Sequence, residues 1–103
     1  MKSLAFAVLF MALAVPAMAA DMGEQVYRQA CAMCHNRGIG GAPAIDDKEA
    51  WKGRLVKGEQ TLIANAINGF RGEKGFMPPR GGRANLTDEQ VSAAVRYLLT
   101  KNR

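Results

Sequence analysis

Apolar positions along this chain fall into helical stripes, set apart by loops rich in glycine and proline. No stretch alternates as a half-buried strand does, so the predicted class is all-α. From about Met22 to Cys34, the residues Val26, Tyr27, Ala30 and Cys34 recur at helical spacing and give a first helix one buried stripe. Gly23, one turn before Tyr27, reads either as a plain helix start or as a place where another helix crosses closely. A short second helix carries Trp51 behind an N-cap at Asp46 or Asp47, and Asp46 with Glu49 fits a capping box. The third runs from Gly58 to Asn68, with Leu62, Ile63, Ala66 and Ile67 on its apolar face and Gly69 at the C′ position. The last begins at Thr87, where Thr87 and Gln90 form a second capping box. Val91, Ala94, Val95, Leu98 and Leu99 make its stripe, with Tyr97 alongside.

Two irregular stretches join these helices. One, from Asn36 to Ile45, holds Gly38, Gly40, Gly41 and Pro43, which rules out regular structure and reads either as backbone folded tightly against a bound group or as a plain surface loop, the latter not normally needing Ile39 and Ile45. The other, from Phe70 to Asn85, is long for a small domain, and Phe76-Met77-Pro78-Pro79 at its centre predicts a fixed course.

The first residues stand apart from this pattern. Lys2 precedes an unbroken apolar run from Leu4 to Val15, Pro16 ends it, and Ala17-Met18-Ala19 is a small-x-small cleavage pattern. Residues 1–19 are expected to be a signal peptide, cut after Ala19 or else after Ala20, leaving 20–103 as the domain. The run is shorter than the ~20 residues a spanning helix needs, which favours export over a retained anchor. The expected location is the periplasm, without stable membrane insertion.

A domain of that size buries a thin core and usually needs a staple. The chain has two cysteines and one histidine, all within Cys31-Ala32-Met33-Cys34-His35. A disulfide between Cys31 and Cys34 would close too short a loop to stabilise much. Cys-x-x-Cys-His is instead the attachment motif of a c-type haem, which would place a large apolar surface inside the domain. On one helical turn the two thiols of Cys31 and Cys34 face the same way and can join the two vinyl groups of a porphyrin. His35 then lies under the iron as its fifth ligand. A thioredoxin-like dithiol would need a βαβ pattern, and a structural zinc site would need a fourth ligand. Three ligands and a water would resemble catalytic zinc, for which no general base is evident near the motif.

The sixth iron ligand follows by elimination. With one histidine, bis-His ligation within the chain is excluded. Of six methionines, Met1, Met11 and Met18 leave with the signal. Met22 and Met33 share the helix of His35, so only Met77 comes from a separate loop; the competing role for it is gap-filling core. With His35 and Met77 on the iron no site remains for substrate or dioxygen, and one-electron transfer is the chemistry left. An open sixth position would make the protein a haem sensor or enzyme instead.

Formal net charge is +5, one unit lower once Lys2 is lost. The cations are scattered without a dense block and the compartment is extracytoplasmic, which argues against nucleic acid and for an acidic redox-protein partner. Lys52, Lys57, Lys74, Arg80 and Arg83 are candidates for the surface that meets it. Trp51, the lone tryptophan, is either ordinary core or a haem contact whose indole N–H reaches a propionate.

Together these residues resemble class I cytochromes c, and in particular the bacterial cytochrome c5 group. The resemblance spans Gly23 to Leu99. It rests on Cys31-Ala32-Met33-Cys34-His35, Gly41-Ala42-Pro43, Trp51, Met77-Pro78-Pro79 with Gly81-Gly82, and Tyr97. It implies a small fold of four to five short helices wrapped around one covalent haem c, in a non-enzymatic, monomeric electron carrier. Redox partners such as respiratory reductases or oxidases would follow. The resemblance further implies thioether bonds at Cys31 and Cys34, axial ligation by His35 and Met77, and a Pro43 carbonyl accepting from the non-ligating nitrogen of His35. Gly23 and Tyr97 would lie where the first and last helices cross. The extra cysteine pair that some members carry before the last helix is missing here.

Overall fold

The computed structural model describes residues 18 and 20–103, so the expected signal peptide and its cleavage site lie almost wholly outside the described residues. Helix α1 (residues 20–35) ends on His35. Helices α2 (Lys48–Leu55), α3 (Glu59–Asn68) and α4 (Asp88–Thr100) follow, as the apolar stripes predict. Within α1 the turn Tyr27–Cys31 is π-helical, the Ala32 N–H reaching back to the Tyr27 carbonyl, and ordinary α-helix resumes at Ala32–His35. Turns of this kind widen a helix by one residue and are frequent at functional sites. Here the widening stops at Cys31.

Capping explains two of the helix starts. Thr87 accepts from the Gln90 N–H and the Gln90 side chain accepts from the Thr87 N–H, the expected reciprocal box. At α2 the cap is Asp47, whose carboxylate accepts from the Ala50 N–H at 3.1 Å. The Asp46–Glu49 box therefore does not form, because the chain turns one residue later than that pairing requires. Gly69 closes α3 with φ +86°, ψ 155°, a conformation open to glycine alone.

The core is thin. Val26 and Tyr27 of α1, Trp51 of α2, Ala66 of α3, Leu86, and Val91, Ala94, Leu98 and Leu99 of α4 form one buried cluster. Leu99 is fully enclosed; burying such a side chain contributes about 1.5–3 kcal/mol. Glu59, at the start of α3, accepts from Arg96 and Arg103 at 2.8 Å each and ties α3 to the far end of α4.

The α1–α4 crossing depends on Gly23. A Cβ there would overlap the Ala93 carbonyl oxygen and lie 3.1 Å from Tyr97 Cβ, so close crossing, not a bare helix start, accounts for the glycine. One turn on, the Tyr27 and Tyr97 rings pack 5.4 Å apart at 49°. Gly23→Val should destabilise the folded protein by at least the ~1–3 kcal/mol typical of overpacking, because backbone on the far side cannot move aside. Denaturant unfolding midpoints measure this, and an unchanged midpoint would rule out the crossing.

The long loop is more ordered than apolar alternation could reveal. Phe70–Arg71 (β1) and Phe76–Met77 (β2) pair as a minimal antiparallel ladder, Phe70 opposite Met77. Strands of two residues leave no period to read. The hairpin tip presses on the loop after His35: a Cβ on Gly75 would overlap the Gly40 carbonyl oxygen, and one on Gly41 would overlap the Lys74 carbonyl oxygen. Backbone meets backbone there, which holds the Met77 loop against the His35 loop.

Candidate haem site

Between α1, the two loops, α3 and α4 lies a cavity of about 860 Å³ with a mainly apolar lining. That is within the ~300–1,000 Å³ range of sites that enclose a large organic ligand. Cys31, Cys34, His35 and Met77 all line it. Four residues separated by up to half the sequence thus converge on one space. Cys31 is half-buried and Cys34 exposed, and both thiols are free. Burial, with a smaller contribution from nearby Cys34, pushes the Cys31 thiol up to about 11, so it stays protonated at neutral pH.

His35 closes α1 and is buried. Its Nδ1 lies 2.8 Å from the Pro43 carbonyl oxygen. A carbonyl can only accept, so Nδ1 carries the proton and Nε2 keeps the lone pair. Burial lowers the proton affinity of the imidazole below its ordinary value. The Pro43 contact opposes that shift, and the charge of Arg54 adds to it. A neutral ring with a free Nε2 is the form that binds a metal.

Met77 is half-buried and packs against the core cluster. Pro78 continues it in extended backbone and Pro79 starts a short 3₁₀ turn, Pro79–Gly82. In that turn Arg80 adopts φ +55°, a left-handed conformation rare outside glycine. Its guanidinium compensates by donating to the Leu86 carbonyl at 2.9 Å and to Asp88 at 2.6 Å. The Met77 loop is thereby tied to the start of α4.

Trp51 lines the cavity and packs 6.0 Å, ring to ring, from His35. Its indole N–H donates to the Ala44 carbonyl at 2.8 Å, so this donor is taken up by the backbone of the residue after Pro43.

Of the five candidate surface cations, Lys57, Lys74 and Arg80 line the cavity, and Lys52 and Arg83 do not. Residues that the sequence left unnoticed are Phe70 and Phe76, exposed at the cavity and each covered by a cation. Lys57 Nζ lies 4.7 Å from the Phe70 ring centre, and the Arg71 guanidinium 4.9 Å from that of Phe76. Two aromatic residues flanking a glycine-bearing turn were the available signal. Among the described residues no three His, Cys, Asp or Glu side chains gather to hold a metal ion, which leaves the zinc reading without a site. Nor is any described helix long and apolar enough to cross a membrane.

Against this geometry the comparisons agree. A family model described as cytochrome c oxidase, cbb3-type, subunit III matches residues 18–98. Cytochrome c-555 of Chlorobaculum thiosulfatiphilum is 44% identical over 84 residues, 82% of this chain and 98% of that protein. Cytochrome c5 of Azotobacter vinelandii is 33% identical over 78 residues, 74% of this chain and 89% of that one. A chain in the crystal structure of an electron transfer complex of nitrite reductase with cytochrome c superposes with a TM-score of 0.70 at 40% identity, covering 80% of this chain and 95% of its own length. The cofactor is covalently attached haem c. The sequence, the cavity and these relatives place the chain among the class I c-type cytochromes, near the c-555 and c5 group.

Proposed function

We propose that this protein is a soluble periplasmic carrier of single electrons, exported by residues 1–19 and functional as 20–103. Cys31 and Cys34 would hold the haem by thioether bonds, each thiol adding its sulfur and hydrogen across one vinyl group. His35 Nε2 and Met77 Sδ would fill the two axial positions. The observation that supports this best is the meeting of all four residues on one cavity, with Nδ1 already committed to Pro43. When bound, the haem supplies a one-electron Fe(III)/Fe(II) couple, whose potential a thioether raises relative to bis-His ligation. The chain's own share is to fix both ligands, exclude water and present an edge.

That edge favours a redox-protein partner, of the kind a reductase or oxidase provides, with an acidic contact face. Phe70 and Phe76 offer apolar contact, while Lys57, Arg71 and Lys74 steer an acidic surface and Glu73 is the one acid among them. An absorption spectrum of the purified holoprotein tests the ligand set. Sharp reduced α and β bands, with the weak red band of thioether-bound ferric iron, are expected. A high-spin spectrum that shifts with carbon monoxide would overturn the carrier reading in favour of a sensor or enzyme.

A further inference from the structure

The strap Pro43-Ala44-Ile45 has an unusual property: each of its three successive carbonyls accepts from a different side chain. Pro43 accepts from His35 Nδ1 at 2.8 Å, Ala44 from Trp51 Nε1 at 2.8 Å, and Ile45 from Asn102 Nδ2 at 2.8 Å. The strap also returns to the histidine through its backbone, since the Ile45 N–H donates to the His35 carbonyl at 2.6 Å. One of these donors is the proposed iron ligand. The other two come from α2 and from the chain's penultimate residue.

Asn102 is buried, and both its amide hydrogens go to carbonyls, the second to Leu98 at 3.2 Å. Its Oδ1 is buried with no partner. Turning the amide over would set that oxygen against two carbonyl oxygens, so the donor assignment is fixed by its surroundings. Leaving a buried acceptor unpaired is unfavourable. A leucine of similar size at this position would avoid that cost but would not hold Ile45.

We infer that Trp51 and Asn102 are positioning residues for the axial imidazole: by clamping Ala44 and Ile45 they hold the Pro43 carbonyl where it takes a strong hydrogen bond from His35 Nδ1. This rests on His35 being an iron ligand. A strong bond at Nδ1 makes Nε2 a better electron donor, which favours Fe(III). The clamp therefore acts on the reduction potential from two places that need not touch the iron. Trp51 acts from beside the ring, and Asn102 from the end of α4, fifty-seven residues along the chain from Ile45.

The test uses haem-loaded protein and two readouts, the reduction potential and the solvent exchange of the His35 Nδ1 proton measured by NMR in the reduced state. Trp51→Phe keeps an aromatic ring and loses the N–H; Asn102→Leu keeps bulk and loses both donors. Each should raise the potential and speed the exchange. The double variant should shift the potential by less than the sum of the two, because both act on one strap. Arg103→Ala, which removes only the adjacent ion pair with Glu59, should leave both readouts unchanged. Asn102→Ala, which has no side-chain donor, repeats the Asn102 test if the leucine variant fails to fold. Variants that load haem yet match the wild type in both readouts would overturn the inference, as would a fall in potential with unchanged exchange, the mark of water entry. If the wild-type His35 ring shows no iron- or ring-current-shifted resonances, the ligand assignment itself fails and the inference falls with it.

Discussion

Replacing Cys31 and Cys34 together by serine should leave a chain with no covalently held haem, even when it is exported alongside the haem-attachment machinery. Serine keeps the size and the hydrogen-bonding capacity of each site, so α1 should still form. What disappears is the only sulfur at the motif end of the cavity able to bond carbon. Extraction with acidified organic solvent separates the outcomes: wild-type protein keeps its colour, and the double variant releases all of it. Protein that stays coloured after extraction would refute attachment at these two residues. Stability should fall with the haem, since a core this thin surrounds a cavity of about 860 Å³ and collapses poorly when that space loses its apolar filling. The single variants should each keep one bond. Cys31, half-buried and held protonated by its surroundings, and Cys34, exposed, need not be equivalent in how fast they react.

Met77→Ala should leave the haem attached and change what the iron does. The thioether is a weak ligand, and its loss opens the sixth position to water, carbon monoxide or imidazole. The potential should fall by a substantial part of the roughly 0.8 V over which axial ligands tune haem proteins. Met77 is half-buried, so lost packing should cost no more than the lower end of the ~2–5 kcal/mol seen for buried Met→Ala. Potentiometry with carbon monoxide titration reads both effects. A variant with wild-type potential and no carbon monoxide binding would show that Met77 is core filler and that another group holds the iron.

The helices were legible because their signals are local. Stripes at 3.6-residue spacing and the Thr87–Gln90 box need no knowledge of what they pack against, and α2, α3 and α4 appear where those signals put them. The cofactor class was legible for the same reason, since five adjacent residues carry it. The Asp46–Glu49 box failed because two side chains at the right spacing do not reveal which residue turns the chain; Asp47 does. The Phe70–Met77 ladder escaped notice because two residues per strand contain no period.

The Cys-x-x-Cys-His stretch fixes the cofactor class from the sequence, since two neighbouring thiols and a following imidazole carry the attachment signal within five residues. Elimination among six methionines also leaves Met77 as the candidate sixth ligand, which the proposed function takes up. What only the tertiary structure decided is how those groups are held. That Trp51 donates to Ala44 and not outward, that Asn102 reaches Ile45, and that the hairpin tip meets the His35 loop backbone to backbone are contacts between distant segments. Such contacts depend on the path of the chain, and no spacing along the sequence records them.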